Sequence, residues 1–437
     1  MKGGLRVDDL RLVALHKDFQ GEMIEFVKKR SNLWEVSKMI KRFLILFLVI
    51  FALSGHVFID VDWALAAEKP LPKMFVWTSL RLGSLGHSQS MGFAEAVKKV
   101  SGVPVRIVPA AADMAGFLPL RAGEVHFCYR GGTDNLSCGL GEAFASEAWG
   151  PQPVRVVWAV PLLIGFATRK DTGIKTYADI KGKRFPDYKG WEPGELITAA
   201  ILAAYDLTWK DVVAVPTAGY VDGIKGLIDG KLDIADVAPE SSLAREVESK
   251  SGGIVWVESP RDPERIKKWL KMAPYFTPGW MDRGAGLSPQ NPCWGTVFRY
   301  LLISYDHLDP EIAYVTTKAL WEGYDIYKDL HPSLKYATRE IALDYKSLTH
   351  PYHEGSVKFF KDIGVWTSDM EEWQKNQLAF DEKRKNAWEE AKKAAAKKKI
   401  KLSAPEWYSI VDGIWVEWLR ENNLLSIPKI EYHEYKK

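Results

Sequence analysis

Three groups of residues in this chain are of types that could do chemistry. The first is Gly83-Ser84-Leu85-Gly86-His87-Ser88-Gln89. A Gly- and Ser-rich loop leading into a helix presents backbone N–H groups at the positive end of the helix dipole, where a carboxylate can be held. The same composition also suits a loop that needs Gly only for its turn. No Gly-Lys-Ser/Thr follows, so the stretch is not a P-loop, and the glycine spacing is not the dinucleotide fingerprint. His87 has no nucleophile motif beside it, since G-x-S-x-G is absent. The second group is His350-Pro351-Tyr352-His353-Glu354. Zinc motifs place two His at i and i+4 on one helical face, and Pro351 works against such a helix, so a capping role fits better. The third group is Cys128, Cys138 and Cys293. Without a C-x-x-C pair, zinc ribbons and thioredoxin-like centres are set aside. Cys128 and Cys138 could close a short disulfide loop or stay apart, and spacing alone does not decide it. No metal or cofactor is expected.

The elements that must position the first group repeat in a regular order. Met74–Thr78 reads as a strand, Leu80–Ser88 as a polar loop, Met91–Val100 as a helix, and Val103–Val108 as a second strand. Asp113 can cap the next helix, and Val125–Tyr129 follows as a third strand. Strand, loop, helix, strand is the order of a parallel α/β sheet, in which ligands sit at the carboxyl ends of strands. The loops Leu82–Ser90 and Pro109–Met114 fall at that edge. A second unit of the same kind follows the long apolar run Val154–Leu163, which suits a strand passing between two lobes. Gly165–Arg169 is read as a separate strand, then a strand near Arg184–Phe185, a helix over Gly194–Tyr205, a strand at Val212–Val215 and a helix over Tyr220–Asp229. Leu232–Val237 ends in the polar loop Pro239-Glu240-Ser241-Ser242. Two such lobes with crossings between them make a cleft, and clefts between domains are favoured by small ligands.

Arg261–Leu270 reads as a charged helix and Tyr275–Thr296 as a long loop; Val297–Ser304 is a strand crossing back. Asp309 and Pro310 open a strong helix to Asp329. Asp369–Lys399 reads as an exposed helix held by i,i+4 charge pairs, and Glu406–Asn422 as a last amphipathic helix. The expected organisation is a leader and signal over 1–66 and lobe 1 over 67–160. Lobe 2 takes 161–258, a return to lobe 1 with helices takes 259–366, and a helical extension takes 367–437.

The 437 residues are too many for one ordinary core, and the net charge of +3 is too small to suggest nucleic acid. Lys41-Arg42, the apolar run Phe43–Leu53 and Ala64-Leu65-Ala66 have the layout of a secretory signal, with cleavage before Ala67. Asp60 and Asp62 interrupt any longer membrane span. Met39, two residues before the basic pair, is read as the true start.

Several segments together resemble the TAXI family of TRAP-transporter solute receptors, over roughly Lys73 to Trp366. They include MGFAEAVKKVSGVPVRIV, GFLPLRAGEVHF, IKTYADIKGKRF, AAYDLT, GIKGLIDGKLDIADVAP, YVTTKALWEGYD and YHEGSVKFFKDIG, in register along the chain. The resemblance implies a two-lobed α/β periplasmic binding protein of type II-like architecture, without enzymatic activity. It would deliver a small organic solute, a carboxylate or amino-acid-like compound, to TRAP permease subunits in the membrane. The pocket motifs depart from the family: its Gly-Gly-Thr-Tyr-Tyr is Leu85-Gly86-His87-Ser88-Gln89 here, and its Gly-Gly-Ser is Ala111-Ala112-Asp113. Asp113 puts a negative charge where an anionic ligand would otherwise bind. The family's Ser-Gly-Thr becomes roughly Glu192-Pro193-Gly194, after an insertion with Tyr188, Lys189 and Trp191.

The expected ligand-binding set is therefore Gly83, Ser84, Gly86, His87, Ser88, Gln89, Ala112, Asp113, Tyr129, Arg130, Gly131 and Thr133 on one wall. Tyr188, Lys189, Trp191, Glu195, Pro239 and Glu240 form the other. Tyr129, Tyr188 and Trp191 would enclose the ligand; Arg81, Arg130 and Lys189 are the cations nearest it, Arg130 or Lys189 pairing with its carboxylate. Two other readings stay open: a periplasmic ligand-sensing subunit of a signalling system, and an enzyme on the same fold.

Overall fold

The computed structural model describes residues 70–110, 113–131, 149–188, 191–250, 252–273, 277–397 and 399. The signal and start-site readings, Cys138 and the helix expected at Glu406–Asn422 lie outside these residues. The first lobe opens with β1 (Phe75–Ser79), α1 (Leu85–Ser101), β2 (Val105–Pro109), α2 (Asp113–Arg121) and β3 (Phe127–Gly131). β1 pairs in parallel with β2 on one side and β3 on the other.

α1 begins at Leu85, six residues before the start expected from periodicity. Ser84 is its N-cap: its backbone is extended and its hydroxyl accepts from the His87 N–H at 3.2 Å. Gly83, at φ 82°, supplies the left-handed turn just before the cap. His87, Ser88 and Gln89 therefore lie in the first turns of a helix and not in a loop, which corrects the sequence reading.

β4 (Val154–Arg169) is one continuous strand of 16 residues, where a strand and a separate successor were expected. It is almost wholly buried, as a strand covered on both faces must be. Its first part pairs antiparallel with β10 (Cys293–Tyr305), which also pairs with β3. Its last residues pair instead with β7 (Ile234–Val237) and β8 (Ile254–Val257). One strand thus belongs to both lobes, and β10 returns beside it.

The second lobe also contains β5 (Arg184–Tyr188), α3 (Glu192–Ala204), β6 (Val213–Thr217), α4 (Tyr220–Ile228) and α5 (Ser242–Lys250). β5 and β6 run parallel. Ahead of β5 the second of two 3-10 turns, Tyr177–Ile180, is closed by a capping box between Thr176 and Asp179. α6 (Pro263–Met272) packs on α3, so the chain stays with the second lobe beyond residue 259, where the sequence reading had it return. β9 (Thr277–Met281), inside the expected loop, pairs with the start of β10.

After β10 come α7 (Pro310–Glu322), α8 (Glu354–Asp362) and α9 (Ser368–Lys397). Asp309 caps α7, its carboxylate accepting from the Glu311 N–H at 3.1 Å. His353 caps α8, its Nδ1 accepting from the Gly355 N–H at 3.1 Å, as the capping reading expected. α9 is not simply exposed: Met370, Arg384, Ala387 and Trp388 are buried against the first lobe. The largest core runs from Phe75, Trp77 and Phe93 through β4 and β10 to Phe166, Phe185 and Trp269. Among the described residues no helix is long and apolar enough to cross a membrane.

Candidate functional site

The carboxyl ends of the parallel strands of both lobes converge on one cavity. It holds about 660 Å³ of empty space, counting the open solvent at its mouth. Leu80, Arg81 and Ser84 follow β1, Ala110 follows β2, and Arg130 and Gly131 end β3. From the second lobe come Trp191, Pro193 and Ile197, at the start of α3 after β5, and Tyr220, the first residue of α4 after β6. Leu162 and Ile164 of β4 with Phe298 and Tyr300 of β10 close the back, where the chain crosses between lobes. Sheets of this kind leave a crevice at the carboxyl ends of their strands, and here two such crevices face each other.

Arg130 is wholly buried. Its Nη2 donates to the Ser79 carbonyl at 3.2 Å, at the end of β1. The guanidinium lies flat on Gly116 in α2, where a Cβ would come within 2.4 Å of Nη2. A side chain at residue 116 would displace the cation. Arg81 reaches toward the other lobe: its Nη1 stands 4.0 Å from the Asp222 carboxylate, and it rests on Gly219 at the start of α4. Ser84 holds the turn between them, its hydroxyl donating to the Arg81 carbonyl at 2.7 Å.

The second-lobe wall is aromatic and backed by a buried acid. Trp191 meets Tyr188 and Tyr220 edge-on, each at 5.0 Å between ring centroids. Tyr188 donates to the carboxylate of Asp236, and the Tyr220 hydroxyl accepts from the Ala238 N–H at 2.9 Å. Burial pushes the Asp236 carboxyl up to about 7, against the weaker pull of the Tyr188 hydrogen bond. Burial likewise raises the Tyr220 phenol. Trp191 is thus held from behind by partners fixed in the core.

A model of the NMT1-like family matches residues 141–364, just over half of the chain. The chain belongs to the NMT1-like family. This NMT1-like chain is also similar in path to several solved structures. MatC from Rhodopseudomonas palustris, with bound malate, is 11% identical with a TM-score of 0.44, and the match covers 69% of this chain and 98% of that one. PhnD1 from Prochlorococcus marinus, in complex with methylphosphonate, is 10% identical at a TM-score of 0.37, covering 68% and 100%. A periplasmic sulfonate-binding protein of a putative sulfonate ABC transporter from Methylobacillus flagellatus is 15% identical at 0.37, covering 83% and 99%.

Of the residues expected at the site of this NMT1-like protein, Ser84, Arg130, Gly131 and Trp191 line the cavity, as does Arg81. Others stand behind the wall. Gly86 gives room to Leu80 and Tyr300, because a Cβ there would meet Leu80 at 2.4 Å. His87 sits one turn into α1 with Nδ1 3.0 Å from the Ser79 hydroxyl, and Ser88 bonds back to the Ser84 carbonyl. Gln89 and Tyr129 are core residues: the Tyr129 hydroxyl donates to Gln89, whose amide donates to Ser333 at 2.9 Å. Tyr188 is buried behind Trp191 and does not face the cavity. Glu195 lies in the first turn of α3, half-buried. Pro239 packs on Gly284, and Glu240 pairs with Arg283 at 3.0 Å. Ala112, Thr133, Lys189 and the Asp113 side chain lie outside the described residues.

Sequence reasoning missed the lining from the crossing strands and Tyr220. The signal was present: Phe298 and Tyr300, like Leu162 and Ile164, are two apart in a strand and so share a face.

Proposed function

We propose that this protein is a periplasmic solute-binding receptor that closes two lobes over a small organic carboxylate or amino-acid-like solute and hands it to a membrane permease. The observation that carries this reading is the cavity built at once from both lobes and from the two strands that join them. A ligand seated there touches Arg81 and Arg130 on one lobe and Trp191 and Tyr220 on the other, so its binding favours the closed arrangement by its differential contacts. No step of bond making is called for. We propose further that the permease is of the TRAP type, on the strength of the TAXI-like segments, and that the signal ending near Ala66 directs export. Native mass spectrometry of the protein purified from its own periplasm tests the reading. A bound organic acid of defined mass, lost on denaturation, is the expected result. Recovery only in the cytoplasm, with no solute bound, would overturn it.

A further inference from the structure

The chemistry of the cavity narrows the solute. Both of its described charged lining residues, Arg81 and Arg130, belong to the first lobe, at the ends of β1 and β3. They approach the cavity from one side: Arg130 is held by the Ser79 carbonyl, and the backbone of Arg81 by the Ser84 hydroxyl. Every described lining residue of the second lobe and the crossing strands is apolar or aromatic: Trp191, Pro193, Ile197, Tyr220, Phe298 and Tyr300 among them. The Tyr220 hydroxyl is turned away to the Ala238 N–H. The charge pattern therefore has one pole.

A guanidinium presents its donors in a planar fork that matches a carboxylate. A second carboxylate, or an ammonium, carried to the far wall would lose its water without gaining a charged partner among the described lining residues, and burying a charge in that way is costly. The carboxylate of Asp222, 4.0 Å from Arg81, is exposed to solvent.

We propose that the solute is an amphipathic monocarboxylate, with its single anionic head on the Arg81–Arg130 side and an aliphatic or aromatic body against Trp191, Tyr220 and Tyr300. This rests on the receptor reading above and names the ligand class within it.

The test is calorimetric titration of the purified full-length chain with 3-phenylpropionate, octanoate, succinate, phenylalanine and 3-phenylpropanamide. The two monocarboxylates are expected to bind at least tenfold more tightly than the diacid, the zwitterion or the amide. Arg81→Gln is expected to weaken 3-phenylpropionate at least tenfold without changing the melting temperature of the unliganded protein. Lys99→Ala, exposed in the last turn of α1 and not among the cavity's lining residues, should leave its affinity within threefold. Tighter binding of succinate or phenylalanine overturns the ligand class and leaves the receptor reading standing. Equal binding of the amide and the acid overturns the role of the cations. Absence of binding by all five, and by a broad panel of organic acids and amino acids, overturns the receptor reading itself.

Discussion

The guanidinium of Arg283 lies 3.9 Å from the ring centroid of Tyr336, joining the loop ahead of β10 to the 3-10 turn that packs under α1. This contact crosses the cleft. Two others do the same: the Ser242 hydroxyl reaches the Gly83 carbonyl at 3.4 Å, and Arg81 faces Asp222. Arg283 is anchored on its own side by Glu240, whose carboxyl burial raises while Arg283 pulls it down. A cation over an aromatic ring contributes roughly 0.5–2 kcal/mol. Tyr336→Ala is expected to shift the unliganded protein toward an open form, seen as a larger radius of gyration in small-angle scattering. Saturating ligand should restore the compact value, and affinity should fall about three- to tenfold. An unchanged scattering curve would dismiss the contact as a latch.

Asp236 gives a stability profile with a definite sign. One of its oxygens takes the Tyr188 hydrogen bond, and the other has no hydrogen-bond partner among the described residues. Burial keeps the folded carboxyl protonated up to about pH 7, whereas an unfolded aspartate ionises near pH 4. Between those values the folded chain holds the extra proton, so this group's contribution is present at low pH and is lost as pH rises. Asp236→Asn keeps an acceptor for Tyr188 and cannot ionise. Its stability in urea should match the parent near pH 4 and exceed it by roughly 2 kcal/mol or more at pH 8. Parallel curves across that range would show that Asp236 does not titrate this way.

His353 titrates in the opposite sense. Burial, aided by the nearby Arg155 charge, pushes its imidazole down to about 4. The unfolded ring takes a proton near pH 6.5, which the folded ring refuses until about 4. Stability is therefore lost as pH falls through that window. His353→Asn retains a side chain able to cap α8. The parent should lose roughly 2 kcal/mol between pH 7 and pH 4.5 that the variant keeps, measured by denaturant unfolding.

The architecture was legible where periodicity was strong and tertiary demands agreed with it. β1, β2, β6 and α4 fall within a residue or two of the sequence reading, because a strand's apolar run and a helix's spaced face are local patterns. The start of α1 was hidden by Gly83, Gly86 and three serines, which disfavour helix until Ser84 is recognised as a cap rather than a loop residue. β9 was hidden because Pro278 and Gly279 are poor strand formers, tolerated here on a strand that pairs with β10. At the site, residues on loops were found and residues on the crossing strands were not. A strand read as a crossing between lobes was not also read as a wall, and Tyr300 of the crossing strand β10 lines the cavity. Gln89 and Tyr129 misled in the other direction: polar groups near a binding edge looked available for ligand, yet they satisfy each other in the core.

The sequence of α9, rich in Lys, Glu and Ala, reads as an exposed helix held by charge pairs. Its inner face says otherwise. Asp381 receives Arg155 of β4 at 2.7 Å and Arg384 of its own helix at 2.6 Å, all three largely shielded from water. Gln374 clamps the backbone of Tyr352, accepting from its N–H and donating to its carbonyl, each at 2.8 Å. Trp388 is packed on Gly150, where a Cβ would come within 2.3 Å of the indole nitrogen. A helix tied by a buried ion pair, an amide clamp and an indole should unfold with the lobe it covers rather than before it. Trp388→Ala is expected to cost about 3 kcal/mol, as large aromatic deletions in cores do. Lys393→Ala, in an exposed surface pair with Glu390, should cost less than about 1 kcal/mol. Far-ultraviolet circular dichroism and tryptophan fluorescence should trace one coincident urea transition in the parent protein. A first helical transition that precedes the fluorescence change would show α9 to be an independent appendage.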